Sequence, residues 1–312
     1  IILQFTTKDA RIKLKKQTKN AFIAIVGKPN VGKSSVLNAM LGQKISIVSS
    51  KPQTTQTKIM GVLTQDETQL VFIDTPGVHK PLNNLGQHMM KAANESVRDT
   101  DIGLLVVEAS KQVKQEEIDL LKKFTANRSK VILAINKIDL ISDKTLIAKQ
   151  ISNLSQLYDF EAIVPVSAKT NYGISNLILE LKKLASFGIH FFDKDDITDQ
   201  PERILFEQII REKLLRLLDK EVPHGIAVCI ESIKERKDGI TDIHAIIYCE
   251  KTSHKGIIIG KQGSMLKKVG TYARLDIERF FDRKINLKLW VKVKEDWRNR
   301  ENLLTSFIKF QS

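Results

Sequence analysis

Residues 27–35 read GKPNVGKSS, set between the apolar run AFIAIV at 21–26 and the helical pattern VLNAML at 36–41. Two glycines and a proline suit neither strand nor helix. Yet Gly27-x-x-x-x-Gly32-Lys33-Ser34 is the spacing at which a strand passes into a helix through a loop of converging backbone N–H groups. Such a loop, at a helix N-terminus with its partial positive charge, is built to hold phosphate. On this reading Gly27, Asn30, Val31, Gly32 and Ser35 line the cradle, Lys33 reaches the β and γ phosphates, and the Ser34 hydroxyl is offered to Mg²⁺.

Outward from this loop, AFIAIV, QLVFI, IGLLVVE, KVILAIN and AIVPVS alternate with helical patterns over residues 20–185. That alternation predicts an α/β domain, a mostly parallel sheet flanked by helices, with ligands at the carboxyl ends of the strands. Polar motifs stand where the strands stop. Asp74 to Gly77, DTPG, places a carboxylate for Mg²⁺ and a Gly77 N–H for the γ phosphate. Asn136 to Asp139, NKID, selects the base: the Asp139 carboxylate accepts from the N1–H and exocyclic amine of guanine, a donor pair that adenine lacks. Asn136 is expected to support the base edge and the Lys137 stem to pack along the ring. In VSAK, Val166 to Lys169, Ser167 and Lys169 flank Ala168, whose N–H is placed to meet the guanine O6. Between the first two motifs the polar stretch SSKPQTTQTKIMG offers Thr54 or Thr55 as the remaining Mg²⁺ ligand, with Thr55 preferred.

The chain is 312 residues long, 42% hydrophobic and 28% charged, which predicts two globular domains. No apolar run approaches the roughly 18 residues of a membrane span. Cys229 and Cys249 sit inside apolar alternations and are expected as core residues in a reducing cytosol. The opening 1–19 is a basic lead-in without the pattern of a signal or transit peptide. Net charge is +14, unevenly placed: residues 251–300 carry 14 Lys and Arg against 5 Asp and Glu, whereas 188–250 carry 9 against 14. A local basic excess of this kind calls for a polyanionic partner.

Past an interdomain linker at 186–201, the order is helix, two strands joined by RKDG, two helices and an alternating strand, KINLKLWVKVK. The helix RILFEQIIREKLLRLLDKEVP is read as amphipathic and stopped by Pro223. Gly260-Lys261-Gln262-Gly263, after Ile257 to Ile259 and before another amphipathic helix, fits the GXXG loop of an α+β KH domain of type II over residues 202–300. There a sugar-phosphate backbone approaches the glycines and an apolar groove receives about four unpaired bases. Lys261, Gln262, Lys267 and Lys268 are the candidate RNA contacts, with Lys288, Lys292, Arg298 and Arg300 as outlying phosphate contacts. Trp290 and Trp297 are expected to pack rather than stack on bases, and 301–312 is read as a tail.

Together GKPNVGKS, PQTT, DTPG, NKID, VSAK and the basic GKQG loop resemble the Era family, bacterial GTPases that join a P-loop GTPase domain to an RNA-binding KH domain. The resemblance spans residues 20 to about 300 and includes EVPHGIAV at 221–228 and WVKVKEDWRNR at 290–300. It implies a monomeric GTPase that turns GTP into GDP with Mg²⁺. The implied partner is RNA rather than DNA, at the 3′ end of small-subunit ribosomal RNA during assembly of the ribosomal small subunit in the cytoplasm. Lys33, Asn30 and Gly77 are the implied catalytic groups. Val78 fills the slot where many small GTPases carry a water-orienting glutamine, so K⁺ held by Asn30 is a further candidate cofactor. Against the RNA reading stands another: a GTPase acting on a protein or membrane partner, its basic domain an anchor at the inner face of the cell membrane.

Overall fold

Ile23 to Val26 are fully buried because the strand holding them has a neighbour on either side and helices above and below. The computed structural model describes residues 17–49, 51, 58–76, 83–98, 100–109, 111–113, 115–127, 129–218 and 222–307. In chain order the first domain contains β1 (Lys19–Val26), α1 (Lys33–Leu41), β2 (Ile59–Gln65), β3 (Thr68–Asp74), α2 (Asn84–Arg98), β4 (Ile102–Glu108), α3 (Gln115–Ala126), β5 (Lys130–Asn136), α4 (Lys144–Ser155), β6 (Ala162–Pro165), α5 (Ile174–Leu184) and β7 (Ser186–Phe187). The sheet order is β2-β3-β1-β4-β5-β6, parallel from β3 to β6, with β2 antiparallel at the edge. Apolar residues of α1 and α5 cover one face, and those of α2, α3 and α4 the other. Both faces being covered explains why these strands read as continuous apolar runs.

The second domain follows as α6 (Glu202–Leu217), β8 (Ile226–Glu235), β9 (Thr241–Cys249), α7 (Thr252–Ile259), α8 (Ser264–Phe281), β10 (Ile285–Val293) and α9 (Glu301–Phe307). Its sheet runs β10-β9-β8, with β10 parallel to β9, and its core lies under α6, α7 and α8. Cys249 is buried and Cys229 half-buried, and both are free thiols.

Two expectations about the elements change, and a third gains detail. Residues 186–201, expected as the interdomain linker, are tied to the first domain: β7 pairs with β1, the Val62 N–H donates to the Ile197 carbonyl, and the Gln69 side chain accepts from the N–H groups of Phe191 and Phe192. Residues 301–307 of the expected tail are a helix, whose Leu304 is buried with Trp297 of the second domain and Leu85 and Met89 of α2. Helix α6 is not amphipathic. It ends at Leu217, before Pro223, and it buries Arg211, Glu212 and Lys213 as well as its apolar side chains.

Part of that polar face meets the first domain. Lys44 lies 2.6 Å from the Glu212 carboxylate and 3.1 Å from Asp276, while Arg216 also pairs with Glu212 and Lys213 with Asp276. Burial pushes the Arg211 guanidinium down to about 9.

Candidate functional site

The first-domain motifs converge on one edge of the sheet because each sits at the carboxyl end of its strand: β1 into residues 27–32, β3 at Asp74, β5 at Asn136 and β6 before Ser167. Gly32 takes φ +98 at the start of α1. A β-carbon there would come within 2.2 Å of Asn136 Nδ2, so only glycine lets the loop turn against β5. Lys33 is 7% exposed, and its ammonium donates to the carbonyls of Gly27 at 3.0 Å and Lys28 at 2.9 Å, folded under the loop it is meant to serve. Burial lowers its pKa from 10.5 to about 8, against the pull of Asp74 and Glu117.

Beside it, the Ser34 hydroxyl donates to Asp74 Oδ2 at 2.7 Å, and Ser46 donates to the same oxygen at 2.7 Å. A hydroxyl next to a buried carboxylate is a hard-oxygen set that fits Mg²⁺. Among the described residues no cluster of three His, Cys, Asp or Glu exists to cage a metal. Thr75 fixes the start of DTPG by donating to the Ile25 carbonyl at 2.8 Å.

At the other end of the site, Ser167 donates to Asp139 Oδ1 at 2.7 Å, and Asp139 is exposed. Lys137, at φ +66, reaches Glu108 at 2.9 Å. Burial of Glu108 opposes its ionisation but is outweighed by Lys111 and Lys137, which hold its carboxyl below the usual range. Asn136 makes contacts within the protein that the sequence does not announce. Its amide donates to the Val31 carbonyl at 2.9 Å and its oxygen accepts the Ala168 N–H at 3.1 Å, so this buried side chain staples the phosphate loop to the base loop. The Ala168 N–H, expected at the guanine O6, is here engaged by Asn136 and must turn or be shared for that role.

In the second domain the chain reverses between α7 and α8 through Gly260 at φ +74, Gln262 at φ +51 and Gly263 at φ +79. A β-carbon on Gly260 would meet Met265 at 2.7 Å. Lys261, Gln262, Lys267 and Lys268 are all exposed around this turn. Ile258 is buried beneath it while Ile257 stays 50% exposed, an apolar lip beside a basic loop.

Comparison with known proteins fits both halves. The 50S ribosome-binding GTPase family profile matches residues 22–137, and the KH domain profile matches 221–298. GTPase Era of Ruminiclostridium cellulolyticum is 50% identical over 286 residues, covering 92% of this chain and 96% of that protein. GTPase Era of Clostridioides difficile is 46% identical over 294 residues, covering 93% and 98%. The chain belongs to the Era family of GTPases.

The match to solved Era structures extends over both domains. A single-residue variant of Aquifex aeolicus Era bound to GDP·AlF4⁻ superposes with a TM-score of 0.91 at 36% identity, covering 94% of this chain and all of that one. Era in complex with MgGDPNP and nucleotides 1506–1542 of 16S ribosomal RNA gives 0.90, with the same identity and coverage. Thr54, Thr55, Gly77, Val78, His79 and Lys80 lie outside the described residues. Sequence reasoning passed over Ser46, Asn38 and Glu108. Asn38 holds the Ser46 segment by accepting the N–H groups of Ile45 and Ser46, and no short motif marks either residue.

Two outlying expectations change as well. Arg298 is engaged with Glu250 in paired hydrogen bonds, a geometry that withdraws it from a phosphate role. Trp297 packs as expected, fully buried with its indole N–H on the Gly225 carbonyl at 3.1 Å. Trp290 does not: it is 42% exposed.

Proposed function

We propose that this Era-family GTPase binds single-stranded RNA near the 3′ end of small-subunit ribosomal RNA during small-subunit assembly, with its nucleotide state governing that binding. In this reading Gly27, Asn30, Val31, Gly32, Lys33, Ser34 and Ser35 hold the phosphates. Ser34, Asp74 and one of Thr54 and Thr55 serve Mg²⁺, while Asp139, Lys137, Ala168 and Lys169 hold guanine, braced by Asn136 and Ser167. Gly77 senses the γ phosphate, and Gly260 to Gly263 with Lys267 and Lys268 receive RNA. The observation that carries it is the exposed basic GXXG turn, seated between two helices on the same chain as a GTPase site. The Era complex with nucleotides 1506–1542 of 16S ribosomal RNA supports the choice of RNA.

Crosslinking to RNA in living cells tests it. Recovery of ribosomal RNA near one site on the small subunit is expected, whereas recovery of no RNA, with the protein on the membrane fraction, would favour the anchor reading. No helix among the described residues is long and apolar enough to cross a membrane, so any membrane contact of those elements would be peripheral. Cytoplasmic ribosome assembly is the proposed location, and a monomer the proposed state. K⁺ at Asn30 is proposed as an aid to hydrolysis. Turnover should then be faster in K⁺ than in Na⁺, and equal rates would remove the ion from the account.

A further inference from the structure

The second-domain sheet has two faces, and only one is closed by α6, α7 and α8. On the other, His244, Ile246 and Tyr248 of β9 stand in register with Lys288, Trp290 and Lys292 of β10. Matched residues of neighbouring strands project from the same face, and every second residue along a strand does so too. Helix α9 covers the Tyr248 end, where Phe307 stacks on the tyrosine with centroids 4.1 Å apart. Past that point, among the described residues, Ile246 is buried while Lys288, Trp290 and Lys292 beside it are exposed. Trp290 is 42% exposed, and His244 meets its ring edge-on at 5.2 Å, which braces the indole without covering it. Lys288 and Lys292, both exposed, lie one on each side of it, each about 6.6 Å along the strand. Asp242 projects from this face as well, but Arg236 engages it through two bonds of 2.6 Å and Asn286 through a third, so its charge is matched. Glu231 lies in the irregularity of β8, two strands from Trp290.

A large flat aromatic ring held by one neighbour and flanked by two exposed ammonium groups, of which Lys288 also acts on Asp242, has the form of a base-stacking platform with phosphate contacts at both ends. Its location supports the same partner. Strand β10 is the sheet edge and also packs against α7 and α8, which carry the GXXG loop, so a nucleic-acid strand leaving that loop has one edge strand to cross. A KH groove takes only about four nucleotides.

We propose that Trp290, with Lys288 and Lys292, forms a second single-stranded RNA contact on the face of this sheet opposite α6, α7 and α8, separate from the GXXG groove. The proposal rests on the RNA reading above and adds a surface to it. Full-length protein titrated with two unstructured RNAs, a tetranucleotide and a strand of about twelve nucleotides, tests it, since sites of single-strand binders span about 4–16 nucleotides. Indole fluorescence reports directly, because the other tryptophan, Trp297, is fully buried.

The longer RNA should quench Trp290 and the tetranucleotide should not. Trp290→Ala should weaken the longer RNA on the order of tenfold or more, with Trp290→Phe retaining most of the affinity. Tetranucleotide affinity, unchanged in both variants, shows that the domain is folded. Wild-type affinity of Trp290→Ala for the longer RNA would overturn the proposal and leave the GXXG assignment standing. An equal loss for both RNAs would also overturn it, by placing Trp290 in the groove. If the wild-type protein bound neither RNA, the RNA reading itself would fall. Sedimentation of the wild type as a dimer and of Trp290→Ala as a monomer would make the face an interface between copies instead.

Discussion

Lys33 shows how one side chain can be costly to the fold and necessary to the site. Its folded pKa of about 8 lies below the ordinary 10.5, chiefly because it is buried. The folded protein then binds fewer protons than the unfolded chain between those values, so stability without nucleotide should rise as pH climbs from about 8 to 10.5. Below pH 8 the buried charge costs up to about 3 kcal/mol. Lys33→Met should therefore raise the melting temperature of the nucleotide-free protein at pH 7 while erasing the further rise that GTP produces, both read from thermal melts. Asp139→Asn should lose at least about a hundredfold in GTP affinity and gain xanthosine triphosphate, since two charged hydrogen bonds to guanine disappear. Nucleotide titration checks this, and unchanged GTP affinity would remove Asp139 as the base reader. These residues were legible because phosphate and guanine impose short local spacings on the chain. The second role of Asn136 was not, because its partner is the Val31 carbonyl 105 positions away.

Elements were readable where burial is two-sided. Strands β1, β3, β4 and β5 announced themselves as apolar runs, but β2 is an edge strand with a glycine near its start, following a polar stretch, and periodicity alone does not pick it out. Helix α6 misled for the opposite reason. Its Arg211, Glu212 and Lys213 look solvent-facing in sequence yet are buried, Glu212 against Lys44 of the first domain and Lys213 against Asp276 of α8. Trp297 packs as its apolar bulk suggests, but the small core it closes is shared by α2, β8 and α9, elements far apart in the chain. Trp297→Ala should cost about 3–5 kcal/mol in denaturant unfolding of the full chain, the range for truncating a large buried aromatic. A loss below about 1 kcal/mol would mean that this core contributes little.

At the scale of the whole molecule, the nucleotide-site domain and the GXXG domain are joined by contacts that a domain-by-domain reading of the sequence does not supply. Lys44, just past α1, reaches Glu212 and Asp276, and α2 touches the second domain through Leu85 and Met89 and through His88, 2.8 Å from Glu301. The elements that follow the phosphate loop and the Asp74 motif thus bear directly on the proposed RNA-binding half, which is the arrangement a nucleotide-governed RNA binder requires. The proposed function rests on this second half binding RNA at the GXXG turn. Replacing Lys261 and Gln262 together with aspartate sets two negative charges where a phosphate backbone must approach. Both side chains are exposed, so the fold and the distant nucleotide site should survive. Filter binding of a short single-stranded RNA, with GTP affinity measured on the same preparation, should show RNA binding abolished and GTP binding retained. Undiminished RNA affinity in a double variant that still binds GTP would contradict the account.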